Sequence, residues 1–157
     1  MTVTIARTGL DVLREVAEGR GTMPMPPCST LLGWEEISLE PGRVLVRFNA
    51  REEFCNPQGT VQGGFLAAML DDAMGPAIFS LLDAGQAAPT LEMKVTYLRP
   101  ARPGPLVAEG RVAHKTRGIA FLEGTLMRED SIVIATATAT ARILPAANGS
   151  QPNGHSG

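Results

Sequence analysis

The chain has 157 residues, 44% of them hydrophobic and 19% charged, and carries a net charge of −2. That is the composition of one soluble globular domain with room for a core, and its near-neutral balance gives no electrostatic reason to bind nucleic acid or an anionic membrane. The two cysteines, Cys28 and Cys55, form no disulfide framework and fit a reducing, cytoplasmic compartment. No signal segment opens the chain, and no apolar run approaches the ~18 residues that span a bilayer.

Residues 8–19 read as a short amphipathic helix packed on the outside of the domain. Thr8 is the candidate N-cap, Asp11 follows three residues later, and Leu10, Leu13, Val16 and Ala17 share one face before Gly19. Gly21 to Pro27 is too rich in proline for regular structure and reads as a loop. Residues 31–37 and 43–50 read as a hairpin about Glu40-Pro41-Gly42, with Trp34 in the first strand as a core residue. Val44, Val46 and Phe48 alternate with polar or outward positions in the second.

Asn56-Pro57-Gln58-Gly59-Thr60-Val61-Gln62-Gly63-Gly64 is a glycine-rich loop that runs into a long helix over 64–83. That helix is apolar nearly all round and is therefore expected to be buried, with a kink where Pro76 removes a donor. Four strands follow at 90–99, 104–116, 119–128 and 131–143. Arg102-Pro103-Gly104, Arg117-Gly118 and Glu129-Asp130 are the turns between them. The last strand alternates Ala135, Ala137, Ala139 and Ala141 with Thr136, Thr138 and Thr140, and its small face suits close packing. The fold class is α+β: one antiparallel sheet wrapped around a long central helix. Residues 1–144 form this single domain, and 145–157, with little apolar content, are expected to be a disordered tail.

The chemistry concentrates at the start of the long helix. The first backbone N–H groups of a helix have no internal acceptor and stand at the positive end of its dipole. Gly63 and Gly64 there admit a carbonyl close to the backbone and favour a developing oxyanion. Asp71 lies eight residues on from Gly63, about 12 Å along the axis. If both act on one carbonyl, two copies must lie antiparallel, each lending half of a site. Asp72 points about 100° away from Asp71. A carboxylate on a buried helix needs a partner, a wet cavity or a raised pKa, and a structural pairing is the plainer reading for Asp72.

These residues resemble the hotdog-fold acyl-CoA thioesterases, in particular the phenylacetate-pathway (PaaI-like) branch. The family pattern is Asn-x-x-Gly-x-x-His-Gly-Gly with a carboxylate eight residues after the first glycine of the pair. Asn56, Gly59, Gly63, Gly64 and Asp71 fit it, and Gln62 stands where the family usually has His. Thr90 to Pro100 looks like the family's strand after the helix, with Thr90 at its Ser/Thr position. The resemblance covers roughly residues 30 to 143. It implies hydrolysis of an acyl-CoA thioester by a homodimer at least, and a homotetramer (a dimer of dimers) as the assembly, with no cofactor or metal. Gly63 N–H, with Gln62, would polarise the carbonyl. Asp71 would serve as general base or nucleophile, Thr90 would orient it or its water, and Asn56 would fix the loop or touch the thioester. Gly64, Arg99, Lys115, Arg117 and Gly118 are the candidates for holding substrate and coenzyme phosphates. Met23 and Met25 are candidates to line an acyl pocket, or else anchor a linker.

Gln62 can donate a hydrogen bond but cannot carry a proton. That keeps a second reading open, a hotdog dimer that binds acyl-CoA without turning it over. A hotdog hydratase or dehydratase ranks last, because no His lies near the loop. His114 reads as a surface residue, and His155 falls in the tail. No Gly-x-Ser-x-Gly elbow, metal-spaced Cys/His cluster, dinucleotide motif or P-loop is present.

Overall fold

A computed structural model of the chain describes residues 7–146. The tail from residue 147 onward, with His155, lies outside the described residues. The elements run α1 (Gly9–Ala17), α2 (Pro27–Leu32), β1 (Glu35–Glu40), β2 (Arg43–Ala50), a 3₁₀ turn (Glu52–Phe54), α3 (Gly63–Phe79), β3 (Thr90–Tyr97), β4 (Gly104–Lys115), β5 (Ile119–Arg128) and β6 (Val133–Arg142). One six-stranded sheet has the order β1-β2-β4-β5-β6-β3, antiparallel at every pairing. The architecture is the expected one, a single antiparallel sheet with one long helix against it.

At α1, Thr8 caps as expected. Its hydroxyl accepts the Asp11 N–H at 3.2 Å, and the Asp11 carboxylate accepts the Thr8 N–H at 2.9 Å. Two boundaries differ from the sequence reading. Pro27 does not extend the loop but begins α2, where a fixed φ and a missing N–H cost nothing. Gly33 closes that helix in a left-handed conformation with φ +73°. The first strand accordingly starts at Glu35, not residue 31, and Trp34 lies just before it. The long helix stops at Phe79 rather than 83. The buried Ser80 hydroxyl donates to the Ala77 carbonyl and accepts the Gly42 N–H, each at 2.7 Å, which ties the helix end to the β1–β2 turn. Helical structure persists through Pro76, which supplies no N–H to the Asp72 carbonyl.

The core forms between α3 and the inward face of the sheet. Met69, Leu70, Ala73, Met74 and Ala77 of α3 are completely buried, as are Val44, Val46 and Phe48 of β2. The alanines of β6 face inward as expected, but α3 lies mainly across β4 and β5. The closest approach is at two glycines there. A Cβ on Gly110 would stand 2.2 Å from the Ala73 carbonyl oxygen, and one on Gly124 would stand 3.0 Å from the Leu70 side chain. β3 occupies the far edge of the sheet and is largely exposed.

Gly110→Ala should lower the melting temperature sharply, because the atoms it meets are backbone and cannot swing away. Overpacking of this kind costs about 1–3 kcal/mol or more. Gly75→Ala, with nothing within 4 Å of the added carbon, should be neutral or stabilising. Equal melting temperatures for the two variants would refute the backbone contact.

Candidate active site

The loop before α3 is held by Asn56. Its Oδ1 accepts N–H groups from Gln58 at 3.0 Å and Thr60 at 3.2 Å, and its Nδ2 donates to the Thr60 hydroxyl at 3.0 Å. Of the two roles considered for Asn56, its polar contacts are those of a loop clasp. Gln62 is the N-cap of α3, and its Oε1 accepts the Gly64 N–H at 2.7 Å. The acceptor end of this side chain is thereby occupied, which leaves the Nε2 hydrogens as the donors that it can offer. The same bond takes up the N–H of Gly64. Gly63, one position earlier, has no intrahelical acceptor for its own N–H.

Tyr97, which the sequence reading did not single out, completes this end. Its hydroxyl donates to the Gly63 carbonyl at 2.9 Å. Its ring lies so near that a Cβ on Gly63 would be 3.1 Å from Cζ. A hydrogen-bonded series thus runs from Tyr97 Oη through the Gly63–Gly64 peptide to Gln62 Oε1. Each bond polarises the next and holds the Gln62 amide in one orientation. A shallow cavity of about 310 Å³ borders Gly63, Leu66, Tyr97 and Arg99.

Two turns along α3, Asp71 is exposed, and its Oδ1 accepts the Thr90 hydroxyl at 3.1 Å. Both line a cavity of about 330 Å³ with Cys28, Asp72 and Pro89. Asp72 turns inward. Its Oδ1 accepts the buried Ser29 hydroxyl at 2.9 Å, while Oδ2 is buried and meets no donor among the described residues. Burial pushes the Asp72 carboxyl up from 3.8 to about 6; the Ser29 bond opposes that shift, and the Asp71 charge adds to it. Asp72 also lines a separate apolar cavity of about 280 Å³ with Met23, Met25, Trp34 and Phe79. The Ser29 contact was missed because the sequence reading ran a strand through part of the segment that forms α2.

The candidate residues fall into two groups. Gln62, Gly63, Gly64 and Arg99 gather at the Tyr97 end of β3. Asp71 and Thr90 stand at its beginning. Lys115, Arg117 and Gly118 share that second end of the sheet, since Gly118 accepts from the Ile143 N–H at 2.8 Å and Pro89 accepts from the Arg142 N–H at 3.0 Å. Both basic side chains there are exposed. Arg99 is exposed too, and donates to the Val133 carbonyl at 2.8 Å. The largest cavity among those described, about 510 Å³, is walled by Arg102, Pro103, Arg128 and Asp130 and shares Pro100 with the cavity beside Gly63, Tyr97 and Arg99. His114 is exposed and stacks on Phe121. No described helix is long and apolar enough to cross a membrane.

A sheet of this order around one such helix is the hotdog fold. The thioesterase superfamily model matches residues 58–135, and the chain belongs to that family. A phenylacetic acid degradation-related protein from Ralstonia eutropha JMP134 superposes with a TM-score of 0.76 at 33% identity, covering 82% of this chain and 97% of that one. A Streptococcus mutans UA159 protein solved bound to acetyl CoA superposes at 0.67 with 25% identity, over 72% of this chain and 90% of that one. Acyl-coenzyme A thioesterase 13 from Homo sapiens is 29% identical over 86 residues, 54% of this chain. The chain spans 61% of the length of that curated relative.

Because the folded state raises the Asp72 pKa, ionising this group opposes folding. Its relative stabilisation is fully present below the ordinary value of 3.8 and is lost as pH rises through about 6. Asp72→Asn should therefore melt above the wild type near neutral pH, by about 2–6 °C for a gain on the order of 1–2 kcal/mol. The gap should close toward about pH 4 in thermal melts. A difference that stays constant across this range would show that Asp72 ionises without cost.

Proposed function

We propose that the protein hydrolyses acyl-CoA thioesters at a site assembled from two antiparallel copies. One observation carries this reading. The Asp71–Thr90 pair and the Gln62–Gly63–Tyr97 group stand at opposite ends of β3, an exposed edge strand. An unpaired edge offers a row of free N–H and C=O groups, and Leu91 and Tyr97 on β3 are more than half exposed. A two-fold axis through the middle of the strand would pair it with its copy. The Thr90 end of one subunit would then meet the Tyr97 end of the other. Asp71 would face Gly63 of the partner subunit, and Arg99 of the partner subunit would join Lys115 and Arg117 around one mouth, suited to coenzyme phosphates. The acetyl CoA held by the Streptococcus mutans relative supports a CoA thioester as the ligand class.

In this arrangement the thioester carbonyl accepts from Gly63 N–H and Gln62 Nε2, and both donors are aimed before charge develops. Asp71 takes a proton from water as the water oxygen adds to the carbonyl carbon. Collapse expels the coenzyme thiolate, which recovers that proton, leaving free acid and thiol. In the covalent variant the Asp71 carboxylate itself adds and releases the thiolate, and water then cleaves the resulting anhydride. Thr90 donates to Asp71 in either course and sets its rotamer. A pair of such dimers is the assembly we expect.

Wild type should release thiol from acyl-CoAs, and Asp71→Asn should lose about a hundredfold or more with its fold intact. Unchanged turnover in that variant would discard Asp71. Binding with no thiol release from any substrate would make the protein an acyl-CoA binder instead.

A shared site makes a sharper forecast. Asp71→Asn and Gln62→Ala, each inactive, should complement when unfolded together and refolded. Random pairing yields one intact site in half of the dimers, hence about a quarter of wild-type activity. Recovery no greater than the sum of the two variants would place the whole site in one subunit.

A further inference from the structure

We propose that Tyr97 is a positioning residue for the carbonyl-polarising end of the site, and that the Gly63–Gly64 pair is a seat for Tyr97 and Gln62 rather than an open approach for substrate. This inference rests on the acyl-thioester reading, in which Gln62 Nε2 donates to the thioester carbonyl.

A glutamine amide has a donor end and an acceptor end of almost the same shape, so its hydrogen bonds decide which end is offered. Turned over, Gln62 would present Oε1 to the substrate oxygen and repel it. The bond from Gly64 N–H to Oε1 at 2.7 Å selects the useful orientation. That N–H belongs to the Gly63–Gly64 peptide, whose carbonyl accepts the Tyr97 hydroxyl at 2.9 Å. Gly63 begins α3, so the same carbonyl also faces the helix's own N–H four residues on. Two donors on one carbonyl draw charge from the peptide and make the Gly64 N–H a stronger donor to Gln62.

Tyr97 is itself held in place. It pairs with Ala135 of β6, and the next two N–H groups, of Leu98 and Arg99, both reach the Ile134 carbonyl, at 2.8 and 3.1 Å. Farther on, the buried Ala101 accepts the Val61 N–H at 2.9 Å, which ties the chain after β3 to the loop before α3. The hydroxyl and the helix start are therefore fixed in one frame.

The glycine pair fits this seating. A Cβ on Gly63 would stand 3.1 Å from Cζ and 3.3 Å from Oη of Tyr97, and one on Gly64 would stand 2.7 Å from Gln62 Oε1. These two side chains fill the space that the glycines leave, so substrate does not enter there. Neither glycine has a positive φ, so the backbone itself accepts alanine at both positions. The nearest atoms such an alanine meets belong to the side chains of Tyr97 and Gln62. Alanine at Gly64 would thus displace the Gln62 amide without disturbing the helix.

The test is a pair of double-mutant cycles with octanoyl-CoA. They are read by thiol release and by the infrared carbonyl band of octanoyl-CoA, isotope-labelled at its carbonyl carbon and bound in the Asp71→Asn background. Tyr97→Phe keeps the ring and deletes the donor. It should lower kcat about 3–10-fold with KM within about twofold. Gly64→Ala should melt close to the wild type, since the gain from alanine in a helix offsets the lost cap bond. It should nevertheless lose most of what Gln62→Ala loses, on the order of 10²-fold in kcat. In the Gln62→Ala background each change should cost less than about twofold, because both act through that amide. Both should also return the bound carbonyl band part of the way to its position in free octanoyl-CoA. Costs that simply add to that of Gln62→Ala would overturn the proposal, and so would full activity in either variant. A band that shifts on binding but ignores Tyr97→Phe and Gly64→Ala would sink the seating and leave polarisation by Gln62 standing. A band that responds to both variants, with no thiol release by the wild type, would keep the seating and remove hydrolysis.

Discussion

The close contact of α3 with the sheet is the constraint on which the rest depends. Gly110 lets the Ala73 peptide of the helix come down onto the β4 backbone, and Gly124 does similar work beside Leu70. Ser80, bonded to both Ala77 and Gly42, fixes the helix end against sliding. A helix clamped in this way holds Gly63 and Asp71 at a set spacing of about 12 Å. Neither residue can approach the other within one chain. If both act on one carbonyl, as proposed, a second copy is needed, and the exposed edge at β3 offers the place for it.

Substituting Gln62 for histidine looks at first like a loss of chemistry. In the structure the glutamine has a defined mechanical part, because its carbonyl is taken by the Gly64 N–H, which leaves the amide hydrogens as the donors that it can offer. Tyr97, through the Gly63 carbonyl, reinforces that orientation. A side chain so held needs no proton to transfer; it needs only to donate where negative charge grows. Polarisation of the thioester carbonyl asks for a donor, whereas activation of water asks for a base, and in the proposed mechanism the two tasks fall to different residues at different ends of β3.

Much of this was legible in the sequence where a local signal had one physical reading. The Thr8–Asp11 capping box, the alternation of β2, the apolar α3 and the two-faced β6 all fold as their patterns require. So does the approach of Thr90 to Asp71, suggested by family spacing rather than by any local pattern. Errors came where one residue type permits opposite outcomes. Pro27, at the end of a proline-rich run, reads as a breaker, yet at the first position of a helix proline is favoured, and Gly33 then supplies the left-handed stop. The end of α3 was set by a tertiary bond from Gly42 to Ser80 that no local pattern contains. Tyr97 resembled any aromatic in a strand, because its value lies in a contact with a glycine 34 residues earlier. The pairing of Ser29 with Asp72 spans 43 residues and depended on the helix that was missed.

Asp72 works against the stability of the fold. An apolar residue in its place would pack the cavity wall and remove the burial cost of a carboxylate. The chain instead keeps an acid whose ionised form the fold resists, and grants it one hydroxyl partner where two oxygens need donors. Locally unfavourable choices of this kind gather where a protein binds or reacts. The cavity beside it is walled mostly by Val, Leu, Met, Pro, Trp and Phe, with Ser29 the other polar residue, and an apolar wall of this kind distinguishes poorly among apolar groups, since one methylene is worth only a modest factor.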